Sequence, residues 1–281
     1  MELKKANGLK KNKVSLIRQI TLVLFAFIMF LPFYWLIVSS LKVESEIFTI
    51  PVKWIPSTLH FENYAKAITI APFGIFYFNS IKICIIRILG CLFFSSLAAF
   101  AFAKLKFKGR DKVFLIYLAT LMLPAQVTLV PEYIIMTQIK WIDTHLPLTV
   151  PLFFDAYVVF MLRQFFVTIP DAILDSAKTD GASYLRMFFS IMLPLSKPAL
   201  SSMAILIFIW SWNDILGPLI FINSQNLLTV AVGMGVFKQR FNTMYGPLFA
   251  ASAMAQIPML IVYIAGQKYF EQGIATTGIK G

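Results

Sequence analysis

The run "ITLVLFAFIMFLPFYWLIV", Ile20 to Val38, contains no charged residue. A bilayer core takes about 20 apolar residues per helix, so this run reads as a membrane span, the first clear one, within a helix over 16–38. Five more segments of similar character follow. They fall within Phe76–Phe102, around Val113–Val130, within Leu146–Leu162, and at Ala199–Ile215 and Pro247–Ala265. Hydrophobic residues make up 59% of the chain and charged ones 14%, whereas soluble domains have about a quarter charged. The expected fold is all-α, a polytopic membrane protein with six transmembrane helices. An even number of spans puts both termini on one side.

The basic tail 1–15, "MELKKANGLKKNK" and its neighbours, resembles the start of a signal peptide. The apolar run behind it is too long, however, and no small-residue cleavage site follows. A retained first helix is expected. The net charge of +12 does not point to nucleic acid, because the basic residues gather in short connectors without interleaved aromatics. Their placement follows the positive-inside rule instead. With the N-terminus cytoplasmic, inside segments hold 17 Lys and Arg and outside loops hold 6, with Lys82 and Arg87 inside the second span. The expected location is therefore a bacterial plasma membrane, multi-pass, with both termini cytoplasmic. Segment 39–75 becomes an extracytoplasmic loop, with a short helix beginning near Thr58, and Leu216–Gly246 a second one. Cys84 and Cys91 read as buried small hydrophobes. His60 and His145 stand alone, so no metal site is expected.

Between Arg163 and Ala199 the chain is too polar for lipid and too patterned for a plain loop. Pro170 suits a helix start, and Asp171 adds negative charge where the helix dipole favours it. Ile173, Leu174 and Ala177 form one apolar face, with Asp175 and Lys178 opposite. Gly181 suits a left-handed stop. Ser183 is placed to cap a second helix over Tyr184–Met192, which Pro194 and Pro198 break. Physics alone leaves two readings, an amphipathic loop lying on the membrane and a helix-turn-helix knob for a cytoplasmic protein.

The stretch "IPDAILDSAKTDGASYLRMFFSIMLPLSKPAL" resembles the EAA loop of binding-protein-dependent ABC importer permeases. Asp175, Ser176 and Ala177 stand at the Glu-Ala-Ala positions, Gly181 at the glycine, and Leu193 and Pro194 at the closing pair. "NSIKI", "AAFAFAKLKFKGRD", "LPAQVTLVP", "WSWNDILGPLIF" and "QKYFEQGIATTGIKG" are similar, in order, to the smaller six-span permease of the maltose-type sugar branch. The resemblance implies a five-helix permease core over 76–281 with a coupling loop at 169–198. In that loop Asp175 to Ala177, Asp180, Gly181, Ala182, Leu193 and Pro194 meet an ATPase, and Asp175 pairs with one of its basic residues. It further implies that the tail Thr277, Gly278, Ile279, Lys280 and Gly281 reaches between the ATPase subunits. The loop around Asn223–Thr243 would touch an extracytoplasmic solute-binding protein. The implied partners are a second homologous permease, an ABC ATPase dimer, the binding protein, a sugar and membrane lipid.

Ionisable and polar residues inside spans are functional candidates. Asp155 in the fourth span and Arg87 in the second fit an interhelical pair, a pathway lining or snorkelling at the lipid edge. Pro124, Gln126 and Thr128 mark a kinked, polar part of the third helix. Gln126, Asp155, Trp212, Asn213 and Gln256 are the candidates for a translocation path. The aromatic ones also suit interfacial anchoring. No G-x-x-x-x-G-K-[ST] loop occurs, so ATP and Mg are expected on a partner and no cofactor on this chain. No nucleophile, base and oxyanion set stands out. A secondary transporter would show matched broken helices in two halves, which the sequence lacks. The nearer rival is an ABC permease for another solute, such as a polyol or glycerol phosphate.

Overall fold

The computed structural model describes residues 2–238 and 243–278, with side chains in 16–238 and 243–268. Among the described residues the regular structure is all helix, apart from one isolated bridge between Lys238 and Thr243. It divides into two units. One runs up to Ile70 and includes Val236–Met254, and the other comprises Ala71–Gly235 and the chain from Ala255.

In the first unit, helix α1 (Glu2–Ser40) contains an apolar stretch, Leu16–Ser40, whose most hydrophobic window has no buried residue. That is the mark of a helix solvated by lipid or by another chain. Its end is fixed by polar contacts. Asn63, at the start of α2 (Glu62–Ile70), donates to the carbonyls of Ser40 at 3.0 Å and Lys42 at 2.9 Å. Lys42 is fully buried, 4.2 Å from the centre of the Trp35 ring. The Glu46 carboxyl is held down at about 2 by donors from Ser57 and Lys53. The short helix begins at Glu62, four residues later than the sequence suggests, and not at Thr58.

The second unit is built around α3 (Phe73–Lys104). Cys91, Ser95, Ser96 and Ala99 are buried along it, and small side chains let helices approach closely in an apolar medium. Gly90 shows how close: a Cβ there would lie 2.2 Å from the Phe153 ring. Packed around α3 are α6 (Ala156–Thr168) and α9 (Lys197–Trp212), with Val158, Val159, Leu162, Phe166, Met203 and Ile207 in the shared core.

Among the described residues, four helices are long and apolar enough to cross a membrane, or up to six if each of two bent pairs is one span. The third span is one such pair. The sequence predicts one helix kinked at Pro124, but α4 (Arg110–Ala119) ends in a tight turn through Met122, and α5 (Ala125–Gln138) leaves at 98°. Pro124 forces the break, because the residue before a proline is pushed out of the helical region. Leu123 has φ −82° and ψ 119°. The fourth span is shifted toward the C-terminus, to Pro151–Thr168, because Leu146–Val150 is taken up by turns. The fifth is preceded by a 78° bend and followed by the short helix α10 (Leu216–Phe221). The sixth lies in α11 (Tyr245–Gly278), which is longer than a bilayer core requires.

Candidate functional site

The polar segment between α6 and α9 folds as two short helices on a tight turn. Helix α7 (Asp171–Thr179) follows Pro170 directly. At its end the Ala182 N–H donates to Ala177 O at 2.9 Å, and the Gly181 N–H donates to Lys178 O at 3.0 Å. This nested pair is the Schellman closure, and it needs a left-handed residue at its corner. Gly181 supplies one with φ +78°. Ser183 then caps α8 (Tyr184–Met187), its hydroxyl accepting from the Arg186 N–H at 3.3 Å.

Beyond α8 the helix continues differently from the expectation of one run to Met192. Phe188–Met192 is a π-helical turn, and Leu193–Leu195 returns to α before the chain bends at Ser196. Pro194 therefore sits inside the helical run and does not end it. Its missing N–H removes one helix bond just after the wide turn. Pro198 lies in the first turn of α9, where proline is favoured.

What anchors this knob is continuous with the unit's core. Leu174, Met187, Phe188 and Met192 are buried in the same cluster as Leu162 and Phe166, with Ala177 and Ala182 packed against it. Ile173 was expected on that face but is 40% exposed. A nine-residue helix, about two and a half turns long, presents only a narrow buried stripe, and Leu174 with Ala177 fills it.

A second tether is polar. The Lys104 ammonium, at the end of α3, donates to Ile169 O and to Asp171 Oδ1, each at 2.6 Å. Lys104 is nearly buried, and its hydrogen bond holds the Asp171 carboxyl below the usual carboxylate range. Sequence reasoning counted Lys104 only as a topogenic charge. Its partner lies 67 residues away, and no local pattern announces the pair.

The outer surface of the knob is left open. Asp175, Ser176, Lys178 and Asp180 are exposed, and neither Asp175 nor Asp180 has an ion-pair partner among the described residues. Tyr184, Leu185 and Phe189 are each at least half exposed. Leu185 and Phe189 are four apart, hence on one face. Leu193 is half-buried and Pro194 exposed.

The expected path residues fall on separate elements. Asp155 is not inside a helix: it is the N-cap of α6, and one carboxylate oxygen accepts from the Tyr157 and Val158 N–H groups at 2.9 and 3.0 Å. Arg87 is buried in mid-α3 and forms no ion pair with Asp155 among the described residues. The carboxylate expected to pair with it is occupied by helix capping. Trp212 is buried. Its indole donates to Ala255 O at 3.1 Å and stacks on Phe208, which gives it a packing role in this conformation. Asn213 donates to Ile209 O, and to Met259 Sδ on α11. Gln256 is half-buried beside Ala255, and Gln126 is exposed in the first turn of α5. Thr277 and Gly278 end α11, while Ile279, Lys280 and Gly281 lie outside the described residues, as do residues 239–242 of the outer loop.

Another polar constellation was missed. Asp143 accepts from the N–H groups of Asn223 and Ser224 at 2.9 and 2.8 Å and from the Ser224 hydroxyl. These donors hold its carboxyl below the usual range. The Asn79 amide donates to Asn226 O and Leu228 O, Ser80 accepts from the Val230 N–H, and His145 Nε2 donates to Leu227 O at 2.8 Å. A lone Asp and a lone His just before a span gave no signal stronger than a turn.

Comparison with known proteins bears on all of this. Residues 91–276 match the model of a family described as "Binding-protein-dependent transport system inner membrane component". The chain is 34% identical to the arabinooligosaccharides transport system permease protein AraQ of Halalkalibacterium halodurans, over 92% of this chain and 94% of that one. It is 32% identical to the sn-glycerol-3-phosphate transport system permease protein UgpE of Salmonella choleraesuis, over 86% and 89%. A solved bacterial ABC transporter involved in the import of the acidic polysaccharide alginate has a chain of like fold. There the TM-score is 0.80 at 22% identity, covering 91% of this chain and 96% of that one.

Proposed function

The chain belongs to the family of binding-protein-dependent transport system inner membrane components, and on that premise we propose that it passes a sugar or oligosaccharide through the membrane of a bacterial cell. The solute would come from an extracytoplasmic binding protein, and the energy from a separate ABC ATPase dimer that carries the ATP and Mg. A second, homologous permease would complete the passage. The arabinooligosaccharide relative supports the sugar.

One observation carries the coupling part of this reading. The knob of α7 and α8 shares its buried side chains with the helix bundle while leaving Asp175, Leu185 and Phe189 exposed. An element so built moves as one body with the bundle and offers a mixed acidic and apolar surface to a partner. An ATPase that closes on nucleotide would push on that surface and so turn the bundle. The positive-inside count puts this loop and both termini in the cytoplasm.

The same count places segments 39–75 and 216–246 outside, where a binding protein would land. In that arrangement the tail Thr277–Gly281 extends α11 toward the ATPase. Gln126, Asp155, Asn213 and Gln256 are the polar groups of the spans from which a passage would draw its lining.

Co-purification tests the assignment: the tagged chain should bring down an ATPase and a second permease. Uptake by the reconstituted complex should require the binding protein and ATP. Uptake by the chain alone on an ion gradient would overturn the reading. A second solute class is favoured by the sn-glycerol-3-phosphate relative, and ligand identification on the cognate binding protein separates it from a sugar.

A further inference from the structure

The turn joining α3 to α4 reads "KLKFKGRDK", Lys104 to Lys112, with five cations and one acid in nine residues. The structure sorts these charges. Lys104 is occupied by Ile169 and Asp171. Arg110 donates to Asp111 at 3.1 Å and to Leu105 O, and Arg163 stands 3.8 Å from the same Asp111 carboxylate. The one acid in the turn is therefore neutralised by two guanidinium groups.

Three cations are left over. Lys106, Lys108 and Lys112 are exposed and have no ion-pair partner among the described residues. Together with Phe107, Gly109, Arg110 and Asp111 they line one recess of about 730 Å³. Gly109, with φ +83° and no atom within 4 Å of where a Cβ would stand, makes the reversal that brings Lys108 back beside Lys112. Phe107 is 45% exposed between Lys106 and Lys108.

We propose that this turn binds the headgroup of an anionic phospholipid. The recess lies where the apolar helix α3 ends and the next apolar stretch begins, which is the headgroup level of a bilayer. Lysines there extend their ammonium groups to the phosphates while their stems stay against apolar surface. An exposed aromatic ring among them suits the interface. Clusters of Lys and Arg next to a span attract acidic lipid, and the neutralised Asp111 removes the repulsion that would oppose it. The recess also adjoins the Lys104 tether, so a bound headgroup sits beside the polar anchor of the knob. The inference rests on the membrane placement proposed above and not on the solute.

The test uses the assembled transporter in mild detergent, with native mass spectrometry after addition of phosphatidylglycerol or phosphatidylcholine. Wild type should retain phosphatidylglycerol selectively. The triple variant Lys106→Gln, Lys108→Gln, Lys112→Gln should retain it on the order of tenfold less or weaker, with phosphatidylcholine unchanged and the ATPase still attached. The triple Arg variant should keep the lipid. Because removing three cations can disturb insertion, a photoactivatable phosphatidylglycerol is also added to the wild-type complex, and its cross-links should map to residues 105–112. Equal lipid retention by wild type and the Gln variant overturns the proposal, as do cross-links only elsewhere. Loss of the ATPase from the Gln variant with lipid retention intact overturns it too, and makes the turn a protein contact. A wild-type chain that brings down no ATPase fails the permease reading instead, whatever lipid it holds.

Discussion

The knob of α7 and α8 and the loop Asn223–Thr229 are both polar interruptions of the same apolar unit, yet they use their polar groups in opposite ways. In the loop, Asp143, Asn79, Ser80 and His145 each reach across from another element and take up a backbone group of the segment Asn223–Val230. Asn223, Gln225 and Asn226 keep exposed side chains, but the path of their backbone is set by those other elements. In the knob, the backbone closes on itself through the Gly181 turn and the Ser183 cap, so Asp175 and Asp180 are free of structural duty. A segment whose backbone is held by the side chains of other elements is a strut. One whose backbone satisfies the fold, leaving its side chains outward, is a surface to be recognised.

The sharpest way to break this comparison is at the corner of the knob. The Cβ that Gly181→Ala or Gly181→Val adds meets no atom within 4 Å. The cost is confined to the backbone, roughly 1–2 kcal/mol for an ordinary residue at positive φ and more for a β-branched one. Solute uptake by the reconstituted complex should fall at least about tenfold for Val and less for Ala, with the ATPase retained poorly. Normal uptake by Gly181→Val would mean the turn is not the element that couples.

Next in size is the apolar anchor. Leu174→Ala removes a buried side chain from the core that the knob shares with α6, at about 2–3 kcal/mol. Loss of coupling is expected to exceed loss of folded protein, read as uptake against the melting temperature of the complex. Equal losses in both would make Leu174 an ordinary core residue.

Much of this was legible in the sequence because it rests on local rules. Apolar length marked the spans, and Pro170, Gly181 and Ser183 marked the knob's start, turn and cap within a residue. What escaped was of two kinds. Pro124 was read as a kink in one helix, but a proline's effect on Leu123 decides only that the helix stops. How far the chain then turns, here 98°, depends on packing. Asp155 and Lys104 were misjudged for different reasons: Asp155 caps its own helix through the N–H groups two and three residues on, whereas Lys104 has a partner chosen by tertiary structure. A lone Asp within an apolar run reads as an intramembrane charge until its N-cap geometry is seen. The family resemblance supplied the roles of the knob, but gave no sign of the Asp143 clamp.

The strut is tested through Asp143. Its carboxyl lies below the ordinary value of about 3.9, so its contribution to stability is complete above that value and is lost as pH falls through the folded one. Asp143→Asn should melt a few degrees lower than wild type near neutral pH, and the gap should close below about pH 4. ATPase retention should not change. A gap that persists in acid would show that the amide fails for reasons of shape and not of charge.

The smallest effect belongs to Asp175, and it bears on what the knob's free surface is for. The side chain is exposed and has no ion-pair partner within the described chain, so substitution there should leave the melting temperature unmoved. If it pairs with a basic residue of the ATPase, that pair is a partly solvated one, and Asp175→Asn should reduce uptake by about two- to fivefold. Asp175→Glu lengthens the reach by one methylene and keeps the charge, so uptake should be held or improved. Asp175→Lys should lose uptake, and a reversed charge on the ATPase partner should restore it. Rescue by no acidic substitution on the ATPase, with Asp175→Glu and Asp175→Asn indistinguishable, would move recognition from the acid to the apolar pair Leu185 and Phe189. The strut-and-surface contrast would then survive with a different residue doing the reading.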